Sequence, residues 1–193
     1  LAILKGDGQY IYGKTVEIKR RESIMKEVDS FRFTGKMIKK FVLNMIENEQ
    51  EQKFIPWAPK SKDISSSRIS LVTTAGISMK TDKPFDMEKE REKGDWGDPS
   101  WRLIKHGSKI EQLDVNHLHI DTTYIKSDLN VALPIDIIED FQQKKLIGSV
   151  SKFHYSIMGY QGRDTSHLKD ISSPEIAKSM KQDNVDLAIL APV

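Results

Sequence analysis

Hydrophobic positions along the chain change period several times, and each change predicts an element. Ile24, Val28 and Phe31, then Ile38, Phe41, Val42, Met45 and Ile46, recur at three- and four-residue steps. That spacing lines one face of an amphipathic helix, or of two helices broken at Gly35, running out in the Glu/Gln-rich segment 47–52. Ahead of it, Tyr10-Ile11-Tyr12 and Val16-Glu17-Ile18, punctuated by Gly6, Gly8 and Gly13, read as a short hairpin. Behind it, residues 53–67 hold Pro56, Trp57, Pro59 and the serine run 65–67, which reads as a linker.

From residue 68 the pattern becomes one of apolar strands alternating with helices. Residues 68–74 predict a strand with Ala75-Gly76 at its C-terminal tip, and 80–100 read as a charged loop containing Pro and Gly. Residues 113–120 alternate again. Pro134 opens a helix through about Lys145, at a first-turn position that suits proline. A second apolar strand spans 147–155 and runs into Met158-Gly159-Tyr160-Gln161-Gly162. Ser173-Pro174-Glu175 starts a helix to about Gln182, with serine as N-cap and proline at N1. Residues 186–190 form a last strand. This alternation predicts an α/β fold: a three-layer, mostly parallel sheet with helices on both faces, plus an N-terminal helical extension. The domain division follows as 1–54 for the extension and 55–193 for the α/β part.

Composition narrows the function classes. The 193 residues carry 30 Lys+Arg against 28 Asp+Glu, a net charge of +2, and no cysteine. Without cysteine, the residues present cannot form disulfides, zinc ribbons or a thiol nucleophile. The basic runs Lys19-Arg20-Arg21, Lys39-Lys40 and Lys144-Lys145 are short and mixed with acids, so no nucleic-acid partner is expected. Mean hydropathy is −0.49. The apolar stretch opening at Leu1 stops at Lys5, and no apolar run nears the roughly 18 residues of a membrane span. A cytoplasmic protein without a membrane partner is expected.

The most pointed candidate chemistry lies in residues 113–121. If that segment is extended, Leu113, Val115, His117, His119 and Asp121 share one face, with the ionisable trio towards the C-terminal end. Open α/β sheets gather their ligands at such strand ends. His117 and His119 would lie roughly 6.6 Å apart at Cα, a workable pitch for two ligands of one metal. The same three side chains could serve as acid and base or as substrate contacts, or they could be ordinary polar residues at a strand end. Asp128 and Asn130, just before the 131–134 run, could orient a loop or bind substrate, and local Asx hydrogen bonding is the simpler account. Arg102, closing the segment 94–102 of turn formers and aromatics, could fork onto a carboxylate or pair with a nearby aspartate. His154, at the end of the second strand, is a weaker candidate, and His106 and His167 read as surface residues. No glycine-rich phosphate loop, nucleophile elbow or dinucleotide fingerprint is present.

Several segments in their order carry a family resemblance: 69–76 (ISLVTTAG), 97–102 (GDPSWR), 117–121, 128–134, 147–149, Met158-Gly159, 173–181 and 184–193. The series resembles the selenoprotein B family of the glycine, sarcosine, betaine and D-proline reductases, with the short D-proline reductase selenoprotein subunit most similar, over residues 55–193. The resemblance implies an oxidoreductase that reductively cleaves a C–N bond alpha to a carboxylate in a small amino acid, as in amino-acid fermentation. It implies a selenocysteine or cysteine directly after Pro192-Val193, at the tip of the last strand. It also implies a pyruvoyl group on a partner subunit and a thiol reductant system. No metal is implied. On that picture His117, His119 and Asp121 are catalytic, and Arg102, Asp128, Asn130, His154 and Gly76 contact substrate. The expectation that follows is a chain truncated where a selenocysteine codon is read as a stop, inactive as it stands, with an open sheet edge prone to homo-oligomerisation. Two alternatives remain open from the residues: a metal-dependent hydrolase or metal-binding protein using His117, His119 and Asp121, and a non-catalytic interaction module.

Overall fold

The computed structural model describes residues 3–4, 10–11, 35–47, 58–118, 120–162 and 164–193. It divides into two compact units, residues 1–59 and 60–193. In the first, β1 (Ile3–Leu4) pairs antiparallel with β2 (Tyr10–Ile11). Tyr10 and Ile11 therefore have another partner than the 16–18 segment expected from sequence, and that segment lies outside the described residues. Helix α1 (Lys36–Glu47) follows Gly35 directly. The helical positions expected at Ile24, Val28 and Phe31 lie outside the described residues.

The second unit carries β3 (Arg68–Thr73), β4 (Ile77–Met79), α2 (Met87–Lys93), β5 (Arg102–Lys105) and β6 (Leu113–Val115). Then come α3 (Thr123–Ser127), α4 (Ile135–Gln143), β7 (Ser149–Val150), β8 (Phe153–Ser156), α5 (Ser173–Gln182) and β9 (Leu187–Ala191). The fold is α/β with a mixed sheet. Strand β3 is the unbroken apolar run, and all but its first residue are buried, as befits a strand covered on both faces. β9 pairs parallel with it from Ile69↔Leu187 to Thr73↔Ala191, while β7 and β8 pair parallel along its other side. β5 closes that side antiparallel, with Arg102 opposite Ser156. β4 and β6 form a separate antiparallel ribbon.

The core divides by the alternation within β3. Ile69 and Leu71 join a buried cluster with Ile104, Leu113, Ile125, Leu133, Ile135 and Ile138, which brings in α3 and α4. Val72 joins Tyr155 and Ile176, with Trp101, Leu103 and Met180 around them, which brings in α5. Each fully buried Leu or Ile stabilises by about 1.5–3 kcal/mol. Tyr155 is fully buried too, and its hydroxyl donates to Ser179 Oγ of α5 at 2.9 Å. Trp101 adds an indole N–H to Glu175 Oε2 at 2.9 Å. Helix α5 is thus fixed by polar as well as apolar contacts.

The helix ends at Gln182 as expected, but its start differs. Ser173 has helical backbone angles (φ −66°, ψ −42°) and Ser172 makes no side-chain cap. The chain instead winds in through a wide helical turn at Leu168–Ser172, which makes a serine cap unnecessary. At the other end Asn184 adopts φ 55°, and Val185 N–H reaches back to the Met180 carbonyl at 2.9 Å. That is a Schellman termination with asparagine in place of glycine. Helix α2 falls within the stretch expected to be loop. Its sequence, MEKEREK, has no apolar period, and its ends hold it: Asp86 accepts from Lys89 N–H at 3.0 Å, and Gly94 takes φ 68°.

The strand expected at 147–155 is interrupted, and side chains repair the break. Residues 151–152 separate β7 from β8. Ser70 Oγ donates to the Phe153 carbonyl at 2.8 Å, and Ser151 Oγ lies 2.7 Å from the same oxygen, its one proton shared between that carbonyl and Asp183. Asp183, at the end of α5, accepts from Ser151 Oγ at 2.6 Å and from Lys152 N–H at 3.0 Å. Burial opposes ionisation of Asp183. The Ser151 hydroxyl, the Lys152 amide and the nearby Arg68 and Lys152 charges outweigh it and hold the carboxyl below the usual carboxylate range. Asp183→Ala removes the charged acceptor of the buried Ser151 hydroxyl, leaving it only the Phe153 carbonyl, and removes the acceptor of Lys152 N–H. The expected loss is about 2–3 kcal/mol in urea unfolding, with Asp183→Asn recovering part of it. Equal stability of the alanine variant and the wild type would remove Asp183 from this role.

Candidate functional site at the strand tips

Parallel strands β3, β8 and β9 end together, and their tips are tied by short-range bonds. Thr74 N–H donates to Ala191 O at 3.2 Å. The Thr74 hydroxyl both accepts from Val193 N–H at 2.8 Å and donates to Val193 O at 3.2 Å. Ile157 N–H donates to Thr73 O, and Gly76 N–H to Ile157 O, both at 3.0 Å. Gly159 lies against the pair. A Cβ there would stand 3.2 Å from both Thr74 O and Val193 O, closer than a side chain ordinarily packs.

Gly76 turns the chain from β3 into β4 at φ 62°, and a Cβ on it would lie 2.3 Å from Asn116 O. Asn116 crosses there because its amide N–H and side-chain Nδ2 both donate to Gly76 O, at 2.8 and 3.1 Å, and Nδ2 also donates to Ser78 Oγ. This crossing ends β6 at Val115. The strand expected over 113–120 therefore stops early, and strand alternation does not set the placement of His117, His119 and Asp121. His117 is half-buried beside the crossing. His119 lies outside the described residues. Asp121 is exposed and accepts from the Thr123 amide at 2.9 Å and from its hydroxyl, in a local turn ahead of α3. The Thr123 hydroxyl and amide hold its carboxyl below the ordinary range.

The other candidates are placed by the same kind of bond. Asn130 Oδ1 accepts from Asp136 N–H at 3.0 Å and its Nδ2 donates to Asp128 and Asp136, so Asp128 and Asn130 form an Asx network at the start of α4. Arg102 stacks over Phe85, 4.3 Å from the ring centroid. Its guanidinium donates to the carbonyls of Lys83, Pro84 and Trp101 and to Ser100 Oγ, with Asp98 at 3.7 Å. Most of its donors are spent on ordering the loop. Asp98 is the loop's other anchor, accepting from Asp86 N–H and from both the amide and hydroxyl of Ser100. Burial works against its charge, and the Ser100, Asp86 and Arg102 donors nonetheless keep its carboxyl below the usual range.

Beside these anchors, on the β5 flank of the strand tips, opens a cleft of about 600 Å³. Asp82, Lys83, Asp86, Trp96 and His167 line it together with Asp98, Pro99, Ser100 and Arg102. The sequence picks out the 94–102 segment that carries Trp96 and Arg102, but neither the cleft nor its Asp82 and Asp86 walls, because the α2 region that forms them shows no period.

His154 is fully buried and lies within the sheet, not at its tips. Its Nδ1 accepts from Leu71 N–H at 3.1 Å and its Nε2 meets His106 Nδ1 at 3.0 Å. His106, expected on the surface, is thereby tied to the core and reaches Glu139 Oε1 at 3.0 Å. Among the described residues no group of three or more His, Asp or Glu side chains gathers as a metal site.

Comparison with known proteins decides the family. The family model for glycine/sarcosine/betaine reductase selenoprotein B matches residues 12–193. The chain belongs to the selenoprotein B family. The match extends well ahead of residue 55, where the resemblance was expected to begin, and takes in α1. Among selenoprotein B relatives, the D-proline reductase subunit gamma of Acetoanaerobium sticklandii is 27% identical over 154 residues, 77% of this chain and 60% of that protein. The glycine reductase complex component B subunit gamma of Symbiobacterium thermophilum is 27% identical over 142 residues, 70% of this chain and 30% of that protein. The betaine reductase complex component B subunit beta of Peptoclostridium acidaminophilum is 26% identical over 163 residues, 77% of this chain and 35% of that protein. This selenoprotein B chain thus spans about 60% of the first relative and about a third of the others. No solved structure matches it. No helix among the described residues is long and apolar enough to cross a membrane.

Proposed function

We propose that this chain forms part of a reductase subunit that cleaves a C–N bond alpha to a carboxylate in a small amino acid, acting in the cytoplasm with a pyruvoyl-bearing partner subunit and a thiol reductant system. The observation that carries this reading is the family match over residues 12–193, joined by relatives named as D-proline, glycine and betaine reductase components. The finer architecture belongs to the same proposal: a three-layer, mostly parallel sheet over residues 55–193, with residues 1–54 as a helical extension.

On this reading a selenocysteine or cysteine follows Val193. The donor set at the strand tips suits such a residue. Thr74 grips both backbone groups of Val193, and Gly159 adds no side chain beside it. A selenocysteine there would supply a selenol that is largely ionised at neutral pH and needs no strong base, whereas a cysteine would need its thiol activated. Thr74 holds the strand tip, and the crossing of Gly76 with Asn116 sets the neighbouring backbone. The cleft beside Arg102 gives a small zwitterion room, with Lys83 and His167 for a carboxylate and Asp82 and Asp86 for an amine.

Two measurements test the reading. The gene sequence beyond the Val193 codon is expected to show an in-frame TGA or cysteine codon followed by further helix- and strand-coding sequence. The complex isolated from the source cell is expected to consume one of D-proline, glycine, sarcosine or betaine with a dithiol reductant and to release the ring-opened or deaminated product. A frame that encodes neither residue there, or a complex that consumes none of the four, overturns it.

A further inference from the structure

The chain of bonds through His154 and His106 has its proton positions dictated by one backbone amide. Leu71 N–H can only donate, so His154 Nδ1 must accept and its ring proton must sit on Nε2. That proton faces His106 Nδ1 at 3.0 Å, which must accept in turn, so the His106 proton sits on Nε2 and points at the Glu139 carboxylate at 3.0 Å. Three elements are strung together in this way: β8 through His154, the end of β5 through His106, and α4 through Glu139. The two rings meet edge to face, with centroids 5.2 Å apart.

We propose that His154, His106 and Glu139 form an acid-released latch that fastens α4 to the β5–β8 side of the sheet. A proton added at His106 Nδ1 turns the acceptor of His154 Nε2–H into a donor. Two N–H groups then face each other, one of them on a fully buried ring. His154 cannot relieve the conflict by turning over, because its Nδ1 is held by Leu71. Nor can it take up a proton itself at mild acidity, since burial, reinforced by His106, pushes it down to about 3. The ring free to leave is His106, whose side chain is 26% exposed. As it swings towards solvent with Glu139, α4 loses its polar tie to the β5–β8 side and keeps the one to β7, where Gln142 Oε1 accepts from Val150 N–H at 2.7 Å. Other charged groups nearby are engaged elsewhere or face water: Asp183 is bound to Ser151 and Lys152 N–H, Asp140 pairs with Lys144, and Lys105 is exposed. The latch is independent of the proposed reductase reaction, because none of its members lies at the strand tips.

The test uses the full 193-residue chain, labelled with ¹⁵N. At pH 7.5 both rings are expected to show the Nε2–H tautomer in long-range ¹H–¹⁵N spectra, and this reading needs no variant. On acidification from pH 7 to 5, hydrogen exchange of the α4 amides is expected to rise about tenfold relative to those of β3, as for a local opening. His106→Gln keeps an acceptor for His154 and a donor for Glu139 but cannot take a proton, so its α4 exchange is expected to follow β3 throughout. An Nδ1–H tautomer on either ring, an α4 response that tracks β3 in the wild type, or the same response in His106→Gln would each overturn the latch.

Discussion

Gly97→Ala is expected to destabilise the Lys60–Val193 unit by about 3 kcal/mol or more, the range of a forced overpacking with no flexible neighbour to yield. A Cβ at residue 97 would stand 1.8 Å from Tyr160 O and 2.7 Å from its carbonyl carbon. Both atoms are backbone, so no side-chain rotation clears the overlap, and the two loops must part. The contact is mutual: a Cβ on Gly162 would stand 1.9 Å from Asp95 O. The 94–101 and 157–162 loops are therefore interlocked backbone to backbone. Tyr160 adds a bond across the interlock, from its hydroxyl to Gly94 O at 3.3 Å, while Gln161 Nε2 braces its own loop on Met158 O at 2.6 Å. Separation would also widen the cleft that Trp96 and Asp98 line. Gly107→Ala is the control. Its φ of 78° strains an alanine, but nothing lies within 4 Å, so it should lose only about 1 kcal/mol. Urea unfolding of both variants checks the contrast, and equal losses would show that conformation rather than contact governs residue 97.

This interlock also explains what sequence could and could not reveal. Strands β3 and β9 and helices α4 and α5 were legible because their apolar period is local and long. The 147–155 strand was legible as an apolar run, but its break was not. The groups that make the break tolerable are Ser70, some eighty residues away, and Asp183, some thirty away. The same holds for the 113–121 segment. Its alternation is real, but Asn116 bonds to Gly76 and Ser78 across forty residues of chain, and that crossing ends the strand before the first histidine. Local rules did find the Asx network at Asp128 and Asn130, since its partners lie within six residues. His106 sits in a polar turn that gives no hint of His154, and only the pairing of β5 with β8 brings the two together. Candidate site residues were thus readable as types and as neighbours in sequence. Their company in space was set by long-range backbone crossings.

The same buried histidine gives the second large expectation, a steep loss of global stability on mild acidification. His154 titrates near 6.5 in an unfolded chain. In the fold it is pushed down to about 3, chiefly by burial and secondarily by the neighbouring His106. Below pH 6.5 the unfolded state therefore binds a proton that the native state refuses. Stability is full above that value and declines as pH falls towards 3, at about 1.4 kcal/mol per pH unit for one proton. Between pH 6.5 and 5 the expected loss is about 2 kcal/mol, and on the order of 4–5 kcal/mol by pH 3. Asp183 and Asp98 work in a different window. Their carboxyls are held below the ordinary 3.8, so their contribution is present above that value and fades only as pH falls below it. The interval from 6.5 to 5 thus isolates the histidine from these carboxylates. His154→Asn keeps an acceptor for Leu71 N–H but carries no titrating ring. It should begin less stable by about 1–3 kcal/mol for the lost packing and the freed His106, and should remove the His154 share of the slope across that interval. Urea denaturation at half-unit steps of pH measures both. A wild type equally stable at pH 5 and 6.5, or an asparagine variant with an undiminished slope, would mean that the unfolded chain keeps this ring as neutral as the fold does.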